Sequence, residues 1–162
     1  MRHGEALSAT ENAERPLSTK GQQDAKAIGK YLADSLISIP HIIHSPKLRA
    51  KETAEYVASS MPKARLVEAK TGLDETDNLD YILEELPNWH EDTLIVGHFP
   101  FLSQLVSHLV IHQPSSPIVR FAPATIVCLE LHEAQRWIIN WVMSPTLLKS
   151  ELASSHIKDL FS

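Results

Sequence analysis

Residues 39–49 read Ile39-Pro40-His41-Ile42-Ile43-His44-Ser45-Pro46-Lys47-Leu48-Arg49, and the fold is decided there. The first six residues are a short β-branched run, the pattern of a buried strand. Ser45-Pro46 ends it. Ser45 suits a helix N-cap, and Pro46 suits the first helical turn, where its missing N–H costs nothing. The helix that follows carries Arg49 and Thr53 and continues through Tyr56 and Val57.

The same alternation extends in both directions. Toward the N-terminus, Thr19 can cap a helix with Gln22 three residues later, a capping-box pattern. Ala25, Ile28, Leu32 and Leu36 then recur at helical spacing, which predicts a helix over Lys20 to Ser35. Toward the C-terminus, a strand is expected near Arg65-Leu66-Val67, then a polar loop from Thr71 to Asn78. Leu79, Ile82, Leu83 and Leu86 mark a further helix, and Thr93 to Val96 a strand stopped by Gly97-His98. Pro100 opens a helix with Leu102, Leu105, Val106, Leu109 and Val110 as its core stripe. Ala124 to Leu131 and Arg136 to Met143, linked by His132-Glu133-Ala134-Gln135, form a hairpin. Strands alternating with helices and closed by a hairpin imply an α/β sandwich with a mostly parallel central sheet. One domain over 1–145 is expected, with a tail over 146–162 that is read as a surface helix or a frayed end.

The composition narrows the function classes. The 162 residues are 43% hydrophobic and 22% charged, near the globular norm. A formal charge of −5 leaves no basic stripe for nucleic acid. Cys128 is the one cysteine, which fits a reducing compartment. No apolar run is long enough for a bilayer span, and Met1-Arg2-His3-Gly4-Glu5 lacks a signal-peptide core. The expectation is a cytoplasmic protein without membrane or nucleic-acid partners.

On an acidic chain, a local cluster of Arg and His is informative. Arg2-His3-Gly4-Glu5-Ala6, Ser45 to Ala50, and Val96-Gly97-His98-Phe99-Pro100 each place such residues past a strand or at the head of a helix. Ligands of open α/β sheets bind beyond the carboxyl ends of the strands. Arg2, His3, Arg49 and His98 gathered there make a pocket for a phosphoryl group, because guanidinium presents a fork that matches it. His41, His44, His90, His112 and His132 are read as surface or structural residues. His108 and His112 lie four apart on one helix without a convincing third ligand, so no metal is expected.

Taken in order, RHGEA, RPLSTKGQQDA (Arg15 to Ala25), SPKLRAKETA (Ser45 to Ala54), VGHFP (Val96 to Pro100) and WVMSP (Trp141 to Pro145) resemble the histidine phosphatase superfamily. The resemblance runs from Arg2 to about Pro145 and is nearest to the small phosphohistidine phosphatases of the SixA type. It implies a three-layer α/β/α, phosphoglycerate mutase-like fold without a large lid insertion. It also implies that His3 accepts the phosphoryl group, that Arg2 and Arg49 grip its oxygens, and that His98 stabilises or protonates it. Arg15 matches a position near the pocket mouth, and Glu75 or Asp74 is a candidate acid. The family places an apolar strand directly before RHG. Here Met1 stands in that position, and the expectation is an upstream start with Met1 internal.

Phosphoryl transfer needs positioning and charge more than covalent chemistry, so the arginines suffice and no cofactor is implied. His3 must be neutral to attack, and the flanking guanidiniums favour that form. Thr71 to Asp77 runs directly into the next helix and leaves no room for a sizeable lid. A lidless site suits imidazole as leaving group, since its nitrogen protonates near neutral pH. The leading expectation is hydrolysis of phosphohistidine on a signalling or phosphotransfer protein, with phosphate or sulfate able to occupy the pocket. The alternatives are a small-molecule phosphomonoesterase for sugar or nucleotide phosphates, and a catalytically impaired phosphate-binding module.

Overall fold

The structure is a computed structural model that describes residues 1–64, 66–133 and 136–148. In chain order the elements are α1 (Thr19–Asp34), β1 (His41–His44), α2 (Leu48–Ser59), β2 (Leu66–Ala69), α3 (Asp80–Glu85), β3 (Thr93–Val96), α4 (Phe101–Ile111), β4 (Ile126–His132) and β5 (Arg136–Met143). A 3-10 turn over Leu86–Asn88 extends α3.

β1 lies between β2 and β3, parallel to both, with His41 opposite Leu66 on one side and Thr93 on the other. Alternation along β1 divides the core. Ile42 joins Ile28, Leu32, Ala54 and Val57 beneath α1 and α2, whereas Ile43 joins Ile82, Phe101, Leu102 and Leu105 beneath α3 and α4. Helices therefore cover both faces, and the fold is the expected α/β architecture with a parallel central sheet.

β4 and β5 pair antiparallel, with a bulge between Cys128 and Leu129. Residues 1–3 join this hairpin to the parallel strands. On one side the His3 N–H donates to Gly97 O at 3.0 Å and the Gly97 N–H to Met1 O at 3.1 Å. On the other, the Arg2 N–H donates to Thr125 O at 2.9 Å and the Ala124 N–H to His3 O at 3.0 Å. Met1 to His3 thus lie between the end of β3 and the segment that leads into β4.

Several local expectations are corrected. Ser18, not Thr19, caps α1, because its hydroxyl reaches the Gly21 N–H at 3.1 Å. Leu36 is no part of the apolar stripe: the helix has ended, its φ is +59°, and it is 90% exposed. β1 starts at His41 rather than Ile39, although Ile39 is buried. Lys47, not Ser45, stands at the N-cap of α2 and makes no side-chain cap hydrogen bond, and Pro46 precedes the helix rather than opening its first turn. Of the expected links and ends, Arg65, Ala134, Gln135 and the tail from 149 to 162 lie outside the described residues. Among the described residues no helix is long and apolar enough to cross a membrane.

Candidate active site

The site is assembled at the carboxyl ends of the parallel strands. His3 lies where residues 1–3 leave the sheet, Ser45 follows β1, and His98 follows β3. The turn after His3 is pinned to α2. The Gly4 N–H donates to Thr53 Oγ1 at 3.0 Å, and the Thr53 hydroxyl donates to the Arg49 carbonyl at 2.7 Å. Helix α1 closes the turn from the other side: a Cβ on Gly21 would fall 2.0 Å from Glu5 O, so only glycine permits that approach.

His3 is buried, with Nδ1 2.7 Å from the Gly4 carbonyl. A carbonyl only accepts, so the proton of the neutral ring sits on Nδ1 and Nε2 carries a bare lone pair. Burial above all pushes the His3 pKa down to about 3, against the Gly4 carbonyl and with added repulsion from His98, Arg49 and Arg2. The neutral state matches expectation, but desolvation causes more of it than the guanidiniums do.

His98 is buried with its ring centroid 5.0 Å from that of His3. Its Nε2 lies 2.8 Å from Ser45 Oγ, while its Nδ1 is buried and makes no hydrogen bond to the protein. Burial, then the charge of Arg49, lowers its pKa to about 4 despite the opposing pull of Glu75. Arg49 is buried in the first turn of α2, and Arg2 donates through Nη1 to Phe121 O at 2.7 Å. Each keeps a buried Nε without a protein partner. Desolvation lowers the pKa of both, and the charge of Arg49 adds to the effect on Arg2. Phe99, 51% exposed, stands beside Arg2 with its ring centroid 5.9 Å from the guanidinium carbon.

The structure thus brings Arg2, His3, Arg49 and His98 together. Arg15 stands farther out: its Nε donates to Leu7 O at 3.3 Å, and its charge reaches Arg49 strongly enough to lower that pKa. The Arg15 backbone has φ +50°, a conformation that costs a non-glycine residue about 1 kcal/mol or more. Glu75 lies over the pocket, 2.6 Å from Lys47 Nζ, 3.6 Å from Arg49 Nη2 and 3.7 Å from His98 Nδ1. Burial would raise its pKa, but the Lys47 hydrogen bond, its own backbone N–H and the charges of His98 and Lys47 together bring it down to about 2. In the resting site Glu75 is a carboxylate and holds no proton to give.

Ser45, Lys47 and Thr53 were not assigned site roles from sequence; Asp74 was, as a candidate acid. Thr53 is four residues from Arg49, a spacing that places both on one helix face and was a usable signal. Asp74, Glu75 and His98 offer ligand atoms within 4.8 Å of one another, the one such cluster among the described residues. The Lys47 ammonium, 2.6 Å from Glu75 and 3.5 Å from Asp74, already supplies the cation between the carboxylates.

Two buried imidazoles flanked by two guanidiniums make an arrangement that can receive a tetrahedral oxyanion. Residues 1–92 match the family model for the histidine phosphatase superfamily, branch 1. The chain belongs to that superfamily. The phosphohistidine phosphatase SixA of Escherichia coli K12 is 29% identical over 92% of this chain and 94% of its own length. A solved structure of the protein histidine phosphatase SixA complexed with tungstate superposes with a TM-score of 0.79 at 29% identity, covering 91% of this chain and 96% of that one. A probable phosphoglycerate mutase GpmB of Escherichia fergusonii is 30% identical over 84% of this chain and 64% of its own length. This histidine phosphatase is therefore a SixA-like member of the superfamily, of SixA-like size.

Proposed function

We propose that the protein removes the phosphoryl group from phosphohistidine on a signalling or phosphotransfer protein, in a cytoplasmic setting, through a phosphohistidine formed on His3. One observation carries this reading: His3 presents a bare Nε2 in a pocket where Arg2, Arg49 and His98 converge. In the first step His3 Nε2 attacks phosphorus, the substrate N–P bond breaks, and the departing imidazole takes up a proton from solvent. In the second, water attacks the phosphoryl group of His3, and phosphate leaves with the ring neutral again. Arg2 and Arg49 hold the equatorial oxygens, where charge accumulates in the loose transition state. Arg15 stands at the mouth and acts on the incoming anion.

The choice of phosphohistidine over an ester rests on the leaving group. An alkoxide needs a positioned acid, and of the two carboxyl groups beside His98, Glu75 is held ionised and paired with Lys47 while Asp74 accepts from the Ser45 hydroxyl. Imidazole departs without that help. The relationship to SixA points the same way. The likeness to a probable phosphoglycerate mutase keeps a small-molecule phosphomonoesterase as the second reading.

The test incubates wild-type protein and a His3→Ala variant with a phosphohistidine-bearing protein and, separately, with sugar phosphates. Loss of protein phosphate that requires His3 is expected. Turnover that survives the substitution would sink the nucleophile assignment, and turnover of sugar phosphates alone would transfer the case to the second reading.

A further inference from the structure

Ser45 is fully buried, and its hydroxyl is shared by groups from three segments. Ser45 Oγ lies 2.5 Å from Asp74 Oδ1 and 2.8 Å from His98 Nε2, and it accepts from the Lys47 N–H at 3.3 Å. A hydroxyl has one proton and two lone pairs, and a carboxylate has no proton to offer. The Ser45 proton therefore goes to Asp74. One lone pair takes the Lys47 N–H and the other is left for the imidazole, so the proton of a neutral His98 must sit on Nε2. Nδ1 is then a bare lone pair, buried and 3.7 Å from a Glu75 carboxylate oxygen. A lone pair facing phosphoryl oxygens repels them as it repels Glu75.

We infer that Ser45 and Asp74 are positioning residues that select which nitrogen of His98 meets the phosphoryl group, and that anion binding draws a solvent proton onto Nδ1. This rests on reading the pocket as a phosphoryl site. The charged ring then donates from both nitrogens, through Nε2 to Ser45 and through Nδ1 to a phosphoryl oxygen, and no covalent bond changes. The groups facing the ring are mixed: Arg49 and Lys47 oppose its charge, Asp74 and Glu75 favour it, and neutral His3 stands 5.0 Å away. In the resting site burial and Arg49 win, and His98 is neutral at pH 7. An arriving dianion reverses that balance.

Histidine 15N NMR on the wild-type protein tests this without any substitution. The free protein at pH 7 is expected to show His98 as the Nε2–H form, and saturation with tungstate to show both nitrogens protonated. Because the free ring is neutral above about pH 4 while the bound ring is charged, tungstate affinity should weaken by up to about tenfold per pH unit as pH rises, and level off once the bound ring loses its proton. Asp74→Ala frees the hydroxyl proton to swing toward Nε2, so part of His98 should move to the Nδ1–H form. Ser45→Ala should leave a mixture of both forms and weaken tungstate binding by about tenfold, a change equal to roughly 1.4 kcal/mol. An Nδ1–H ring in the free wild type, or a ring still neutral with tungstate bound, would overturn the inference. Tungstate that fails to bind would overturn the phosphoryl-site reading and the proton uptake with it. Expected spectra with no phosphohistidine turnover would defeat the substrate assignment alone.

Discussion

Arg49 offers a planar fork from the first turn of α2, and a lysine there would keep the charge while losing the two-point grip. Arg49→Lys is expected to lower kcat/KM on a phosphohistidine protein about 10²-fold or more with the fold intact, as steady-state kinetics beside circular dichroism would show. The two buried imidazoles also make an acid-sensitive pair. His3 and His98 titrate near 3 and 4 when folded, against 6.5 when exposed. The unfolded chain therefore takes up protons first, so their stabilisation is complete above about pH 6.5 and drains away as pH falls toward 4 and then 3. Glu75, lowered from 4.5 to about 2, adds its own loss only below about 4.5. Urea unfolding should show wild-type stability falling by about 2 kcal/mol or more between pH 7.5 and 5, and His98→Gln should lose less over that interval. An equal loss in both would contradict the assignment. Residue types whose chemistry is unusual on an acidic chain could be picked out by eye, and Arg2, His3, Arg49 and His98 do meet. Ser45 could not. Its local sequence favours a helix cap, but its hydroxyl is taken by a ring 53 residues away, a competition that only the tertiary fold decides.

At the scale of elements, α1 sits on the segment after His3 through backbone contact. A methyl at position 21 would meet the Glu5 carbonyl at 2.0 Å, so helix or segment must shift. Gly21→Ala is expected to destabilise by about 1–3 kcal/mol and to lower kcat more than KM, checked by thermal denaturation and kinetics together. Unchanged stability would mean that α1 is free to slide. Element types followed from hydrophobic period, and their ends were harder to read. The helix pattern runs through Leu36, yet the chain turns left-handed there and exposes it. Ser18 and Thr19 are equally good caps by composition. Ser18 prevails because its hydroxyl also donates to Glu5 Oε1 at 2.9 Å while its N–H donates to Glu5 O, ties that tether the helix to the site.

For the whole molecule, alternating strands and helices announced a parallel sheet, and the polar link between two apolar runs announced a hairpin. Where the hairpin attaches was not readable, because the attachment is made by backbone groups of residues 1–3 and 124–125, which carry no side-chain signature. The amides of Arg2, His3 and Ala124 bridge the two parts, and hydrogen exchange is expected to release all three in one event, at a common free energy. Independent rates would show that the parts separate piecemeal. A further result follows from this seam. The backbone of His3, the proposed nucleophile, is the stitch between two subassemblies, so any breathing that parts them also slackens the grip on its ring. Catalytic competence should then vanish at milder denaturant than the bulk of the helices, and partial loosening of the molecule would silence it before it unravels.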